Sequence, residues 1–115
     1  MSLATNVAVG IVAALHLLFL VLEMFLWRTP FGRRTFGLSR ELADASAGLA
    51  MNQGLYNGFL AAGMLWSLST GKDVQLFFLA CVVIAGIFGG LTAKRTILFF
   101  QALPGAIALA LVWFS

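Results

Sequence analysis

Charged residues are scarce in this chain, and their scarcity excludes most soluble proteins. Asp, Glu, Lys and Arg make up 10% of the 115 residues, against roughly 25% in an ordinary soluble domain. Hydrophobic residues make up 62%, and the mean hydropathy is +1.03. The net charge of +3 predicts no nucleic-acid partner, because the basic residues lie at the ends of apolar runs. This composition favours a protein embedded in a lipid bilayer.

Cysteine and histidine each occur once. Cys81 cannot form a disulfide within the chain, and His16 has no second His or Cys at the spacing of a haem or metal site. The chain also lacks a phosphate-binding loop. We therefore predict no metal and no cofactor.

Long apolar runs are what the chain has in abundance. Four of them predict membrane-spanning helices at about residues 6–27, 48–68, 74–93 and 96–114. Because a span needs about 20 residues, these four nearly exhaust the length and leave one integral membrane domain, residues 1–115. In hydrocarbon the backbone N–H and C=O groups must form their hydrogen bonds within each span. The predicted fold class is therefore all-α, a four-helix transmembrane bundle whose fourth helix is kinked at Pro104.

The N-terminal run is interpreted as the first spanning helix. Its leading residues carry no Lys or Arg, and the run is longer than the apolar region of a signal peptide. Six of the seven basic residues lie in the first and third joins between spans, which predicts that those joins are cytoplasmic and both termini extracytoplasmic. These six are Arg28, Arg33, Arg34, Arg40, Lys94 and Arg95, while Lys72 lies in the second join.

The first join is the only long one. Pro30, Gly32 and Gly37 are interpreted as helix breakers, which predicts a loop lying on the lipid headgroups. Ser39 is a candidate N-cap, so the second helix is expected to start near Arg40.

Two ionisable residues interrupt the first span. His16 and Glu23 are seven residues apart, so they share one helix face about two turns apart. Ionisable groups in hydrocarbon are costly and usually mark a functional site. Alternatively, the Glu23 side chain reaches the lipid headgroups or pairs with Arg28. His16 could instead be a buried structural residue that bridges two helices.

The second and fourth spans carry further polar side chains. Asn52, Gln53, Tyr56 and Asn57 fall within about 140° of arc on a helix, so we expect all four to face the bundle interior. Interhelical bonding without any ligand is the alternative. Together with the first span they predict a pocket open to the cytoplasm, and the candidate ligand-binding residues are His16, Glu23, Asn52, Gln53, Tyr56, Asn57 and Gln101. His16 and Glu23 are also the candidate catalytic residues.

Small residues form two ridges along the predicted helices. Gly54 and Gly58 lie one turn apart beside the polar cluster, and Gly86 and Gly90 do the same in the third span. Such ridges allow close approach of a neighbouring helix. They predict packing within the chain or a homo-oligomer built on either ridge.

Three segments resemble a family of short bacterial membrane proteins, catalogued as domain of unknown function family 1304. They are LHLLFLVLEMFLW at 15–27, NQGLYNGFLAAG at 52–63 and QALPG at 101–105. The resemblance covers almost the whole chain and implies a four-helix integral membrane protein. With the charge asymmetry, it implies a multi-pass protein of the bacterial cytoplasmic (inner) membrane. It implies no reaction, substrate or catalytic residue.

Three functions fit these residues. The favoured hypothesis is binding or transport of a small lipophilic molecule, linked to proton exchange, in the polar pocket. An intramembrane acid–base enzyme of the isomerase type would use His16 and Glu23 on a lipid-soluble substrate. An accessory or structural membrane subunit would use the polar residues only to hold helices together.

Overall fold

Helices account for nearly all of the backbone that the structure describes. The structure, a computed structural model, describes residues 2–115, and no strand occurs among them. Five α-helices follow one another, with a π-helical turn before the last. Their bounds are α1 Leu3–Met24, α2 Pro30–Phe36, α3 Arg40–Thr70, α4 Lys72–Thr92, the π-helical turn Leu98–Ala102 and α5 Leu103–Trp113.

The short helix α2 corrects the expectation of a loop in the first join. Pro30 occupies the first turn, where its missing N–H leaves no helical bond unmade. Thr29 caps the start, because its Oγ1 accepts a bond from the Gly32 N–H at 3.1 Å. Gly37 ends the helix in the left-handed conformation at φ 67°. Of the three expected breakers, only Gly37 therefore acts as one.

The start of α3 near Arg40 is confirmed, and so is its cap. The Leu42 N–H bonds to Ser39 Oγ at 3.1 Å, as expected for an N-cap serine. The helix then runs for 31 residues to Thr70. Gly71 alone connects it to α4, with a φ of 136° that L-residues rarely adopt.

The last apolar run begins with a change of helical register. Residues 98–102 form a π-helix, and the Leu103 N–H bonds to the Leu98 carbonyl, five residues back. Pro104 falls in the first turn of α5. A π-helical turn is a recognised way for a helix to accommodate a local interruption. The predicted kink at Pro104 stays a prediction.

Two helices are long and apolar enough to cross a membrane. They are α1 and α4, while Leu98–Trp113 is apolar but shorter. Polar residues in the middle of α3 lower its hydropathy, although it is the longest helix. The first and third predicted spans therefore correspond to apolar helices of spanning length, and the four-span bundle stays a prediction.

The chain divides into two compact units. The terminal unit consists of the chain up to Leu15 together with Leu60–Ser115, and the central unit is His16–Phe59. The terminal unit contains a hydrophobic core to which α1, α3, α4 and α5 all contribute. Its buried members are Val9, Val12, Ala13, Met64, Leu79, Val82, Ala108 and Val112.

Glycines let α4 and the last helical segment approach closely within the terminal unit. A Cβ atom at Gly86 would lie 2.5 Å from the backbone nitrogen of Ala102, and one at Gly105 would lie 2.7 Å from Val82 Cγ1. The Lys72 ammonium donates to the carbonyl of Trp113 at 3.1 Å. The start of α4 therefore contacts the end of α5, and residues further along α4 contact Ala102 and Gly105, so the two segments are antiparallel.

Candidate functional site

The candidate site lies in the central unit, where α1 and α3 pack closely. A Cβ atom at Gly54 would lie 2.6 Å from Met24 Cγ and 3.3 Å from the Leu20 carbonyl oxygen. At Gly58 it would lie 2.7 Å from Leu20 Cδ1. This glycine ridge therefore packs against α1 within the chain, one of the two roles predicted for it.

Close packing brings Glu23 and Asn57 together across the two helices. Asn57 is buried, with 4% of its surface exposed, and Glu23 is half-buried. The Asn57 Nδ2 amide donates to Glu23 Oε1 at 2.5 Å. Glu23 thus has an interhelical partner, and the amide fixes the direction of its carboxyl group. Side-chain bonds of this kind join helices without requiring a ligand, but they also orient a group for one.

Glu23 also lines a cleft of about 300 Å³. Apolar side chains make up most of its wall, and Glu23 and Arg28 are the charged residues in it. Arg28 is exposed, whereas Glu23 is half-buried. The lining residues are Glu23, Met24, Phe25, Trp27, Arg28, Thr29, Ala47 and Met51. A mainly apolar wall with a few polar groups is typical of sites for small ligands.

Hydrogen bonds hold the wall of the cleft in place. The Trp27 indole N–H donates to Ser46 Oγ on α3 at 3.1 Å, and its ring lies 4.8 Å from the ring of Phe36 on α2. Thr29 Oγ1 donates to the Leu26 carbonyl at 2.6 Å while capping α2. The segment between α1 and α2 is therefore anchored to α2 and α3.

His16 is fully buried, with no exposed surface. Its ring meets that of Phe19 edge to face, with centroids 5.3 Å apart. His16 does not line the cleft beside Glu23. The structure therefore places the two ionisable residues of α1 in different surroundings, one enclosed and one at a cavity.

The polar cluster of α3 is divided by the structure. Asn57 is buried, but Asn52, Gln53 and Tyr56 are exposed. The expectation that all four face inward is wrong for these three. The cause is that the inward face of α3 is taken by small residues that allow α1 to approach, Gly54 among them.

Gln101 belongs to the terminal unit and is half-buried in the π-helical turn. It is not among the residues that line the cleft. Among residues 2–115, no group of three or more His, Cys, Asp and Glu residues is arranged to hold a metal ion.

Sequence reasoning missed several residues that form the cleft. Trp27 lies four residues after Glu23, which in the predicted span 6–27 would place both on one helical face, and that spacing was the available signal even though α1 ends at Met24. Arg28 was interpreted as a marker of membrane orientation and as an alternative partner for Glu23, but not as a residue that lines a cleft. Thr29 could have been recognised from the Thr-Pro pair, which is typical of a helix N-terminus.

Comparison with known proteins matches residues 10–113 to one family, described as Protein of unknown function (DUF1304). A similar chain is the Uncharacterized protein YpaA of Lactococcus lactis subsp. lactis (strain IL1403), 26% identical over 117 residues that cover 97% of each chain. No solved structure matches the chain. Because the match extends over nearly the full length and includes both partners of the Glu23–Asn57 pair, the chain belongs to the DUF1304 family.

Proposed function

We propose that this protein is a multi-pass protein of the bacterial cytoplasmic membrane that binds a small lipophilic molecule in the cleft beside Glu23. Ligand binding is linked to proton exchange at the Glu23 carboxyl, which is the step that a transporter would use. The observation that carries the proposal is the position of Glu23, held by Asn57 at the wall of a mainly apolar cleft.

Membrane insertion is supported by where the apolar residues lie. In the most apolar windows of α1 and α4, only 28% of the residues are buried inside the protein. A core helix of a soluble protein would be mostly buried. Large side chains such as Ile84, Phe88 and Leu91 are exposed by 68% or more. An apolar surface of this extent needs hydrocarbon around it.

The charges of the cleft indicate the sign of the ligand. Arg28 is exposed and is screened by solvent or headgroups, whereas Glu23 is half-buried among apolar side chains. The less solvated charge dominates the interaction with a bound ion. We therefore expect a ligand with an apolar body and a cationic or hydrogen-bond-donating head.

Acid–base catalysis is less well supported. An isomerase would need His16 and Glu23 to reach one substrate, but His16 has no exposed surface and does not line the cleft. A purely structural role predicts that changing Glu23 lowers stability and nothing else, so the experiment below also tests that alternative.

The first test is membrane integration of the full chain expressed in bacteria. The protein should remain in the membrane pellet after alkaline carbonate extraction. Recovery in the soluble fraction would overturn the proposal before any ligand is tried.

The second test measures ligand binding in lipid nanodiscs through Trp27. Changing Trp66 and Trp113 to Phe leaves Trp27, which lines the cleft, as the sole indole. Tetraphenylphosphonium, a lipophilic cation, should change its fluorescence saturably, and decanoate, a lipophilic anion, should not. Glu23→Gln should weaken cation binding about tenfold or more, which is about 1.4 kcal/mol.

Glu41→Gln is the matched control, because Glu41 is an exposed glutamate at the start of α3. It should bind the cation as the unmodified protein does. A cation that binds at the Glu23 carboxyl displaces the proton of that group, so in weakly buffered suspension cation addition should release protons from the unmodified protein but not from Glu23→Gln. Equal binding and equal proton release in all three proteins would refute the proposed site.

A further inference from the structure

Three hydrogen-bonding side chains of α3 point away from the chain. Asn52, Gln53 and Tyr56 are exposed, and none of them forms a side-chain hydrogen bond within residues 2–115. The Tyr56 ring packs edge to face against Phe59 at 5.7 Å, which leaves its hydroxyl without a partner. Asn52 and Tyr56 lie one turn apart, so they share one face of the helix.

These side chains lie at membrane depth in the bilayer arrangement proposed above. Gly71 marks the extracytoplasmic end of α3 in that arrangement. At about 1.5 Å per residue, Tyr56 lies about 22 Å and Asn52 about 28 Å along the helix from Gly71. Hydrocarbon is about 30 Å thick, so both positions fall within its cytoplasmic half. There, a polar side chain without a partner is unfavourable.

We propose that Asn52, Gln53 and Tyr56 form an interface between the α3 helices of two copies of this chain. Lipid tails offer these groups no hydrogen bond, whereas a second copy offers the same three groups. Each amide carries both a donor and an acceptor, and a tyrosine hydroxyl is likewise both. The set is therefore complementary to itself, as a two-fold interface requires.

Membrane orientation fixes the geometry of the pair. Two copies inserted in the same direction are related by an axis along the membrane normal, so their α3 helices run parallel. Each residue near the axis then faces its own counterpart, Asn52 opposite Asn52 and Tyr56 opposite Tyr56. Leu49 and Phe59, exposed by 77% and 56%, flank the polar row and supply apolar contact on either side.

The glycine ridges are engaged elsewhere. Gly54 and Gly58 pack against α1, and Gly86 and Gly90 pack against Ala102 and Leu98 in the same chain. A homo-oligomer built on either ridge would have to displace these contacts. An interface at Asn52, Gln53 and Tyr56 requires no such displacement. The interface rests on the proposed membrane insertion but not on any ligand in the cleft.

Disulfide cross-linking in liposomes tests the interface. In a Cys81→Ala background, which removes the only native thiol, we expect Asn52→Cys and Tyr56→Cys to give a covalent dimer rapidly under mild oxidation. Phe99→Cys is the control, because Phe99 is 65% exposed but lies at the start of the last helical segment. Cross-linking of Asn52→Cys no faster than that of Phe99→Cys would overturn the proposal.

A second variant tests whether the polar groups drive the association. In liposomes diluted with lipid, Asn52→Leu/Gln53→Leu should lower the dimer fraction measured by single-molecule photobleaching, corresponding to an association constant lower by about tenfold. Ser69→Leu, another exposed polar residue on α3, should leave it unchanged. Monomers of the unmodified protein, or an undiminished dimer in the double variant, would refute the interface. If the unmodified protein forms the dimer but does not bind the cation, only the proposed ligand site in the cleft is refuted.

Discussion

The two units bury different kinds of residues, although they share two helices. The terminal unit encloses eight apolar side chains from four helices. In the central unit the close contact between α1 and α3 is made by glycines and a Glu–Asn pair. The difference teaches that the terminal unit has an apolar core shared by four helices, whereas the closest contact of α1 with α3 in the central unit includes a polar bond. That bond holds the Glu23 carboxyl in a fixed direction, which apolar packing alone would not do.

Met64→Ala should give the largest loss of stability. Met64 has no exposed surface and lies in the core of the terminal unit. Removing its side chain leaves a cavity that close-packed helices fill only in part, with an expected cost of about 2–5 kcal/mol. Equilibrium unfolding in detergent micelles would measure it. A cost below that of breaking the Glu23–Asn57 pair would reverse the comparison between the units.

Gly86→Ala tests close helix approach in the terminal unit. The added Cβ would meet the backbone of Ala102 at 2.5–2.8 Å, so the helices must separate, at an expected cost of about 1–3 kcal/mol. Gly10→Ala is the control, since nothing lies within 4 Å of its Cβ position. That variant should keep or raise the melting temperature, because alanine restricts the unfolded chain. A fall of equal size in both variants would contradict the packing argument.

A double-mutant cycle on Glu23 and Asn57 measures the polar pair of the central unit. Asn57→Leu should destabilise by about 1–3 kcal/mol, because it leaves the half-buried carboxyl without its donor. Combined with Glu23→Gln, the coupling energy should be about 0.5–2 kcal/mol. Additive effects of the two substitutions would show that the pair does not hold α1 and α3 together.

Thr29→Ala should have the smallest effect, about 1 kcal/mol or less, by removing the cap of α2. Unfolding is again the measurement, and the Trp27 fluorescence should change because Trp27 lies just before this cap in the chain. Thr35→Ala removes a hydroxyl that bonds only to the Phe31 carbonyl within α2. We expect Thr35→Ala to leave the stability unchanged. An equal loss of stability in both variants would rule out capping as the cause.

Much of the helical layout could be predicted from the sequence, because hydrophobic runs and caps are local signals. The Ser39 cap and the start at Arg40 are examples. Helix α2 was missed because Pro30 and Gly32 suggest a break, while the position of Pro30 directly after a threonine cap decides the opposite. The orientation of Asn52, Gln53 and Tyr56 was mispredicted. Helical spacing shows that these residues lie on one side of α3, but it does not show which of them a neighbouring helix buries.

The candidate site was predictable in its chemistry and less so in its shape. Glu23 and Asn57 were both identified from their rarity in apolar runs, and they bond to each other. The lining by Trp27 and Arg28 depends on how the chain turns after Met24. That turn is fixed by bonds between α1, α2 and α3 that no single window of sequence contains.

The single-residue link at Gly71 has a consequence for biosynthesis. In the proposed membrane arrangement, the one-residue link would make α3 and α4 insert together as a helical hairpin. The strongly apolar α4 would then offset the unfavourable insertion of the polar middle of α3.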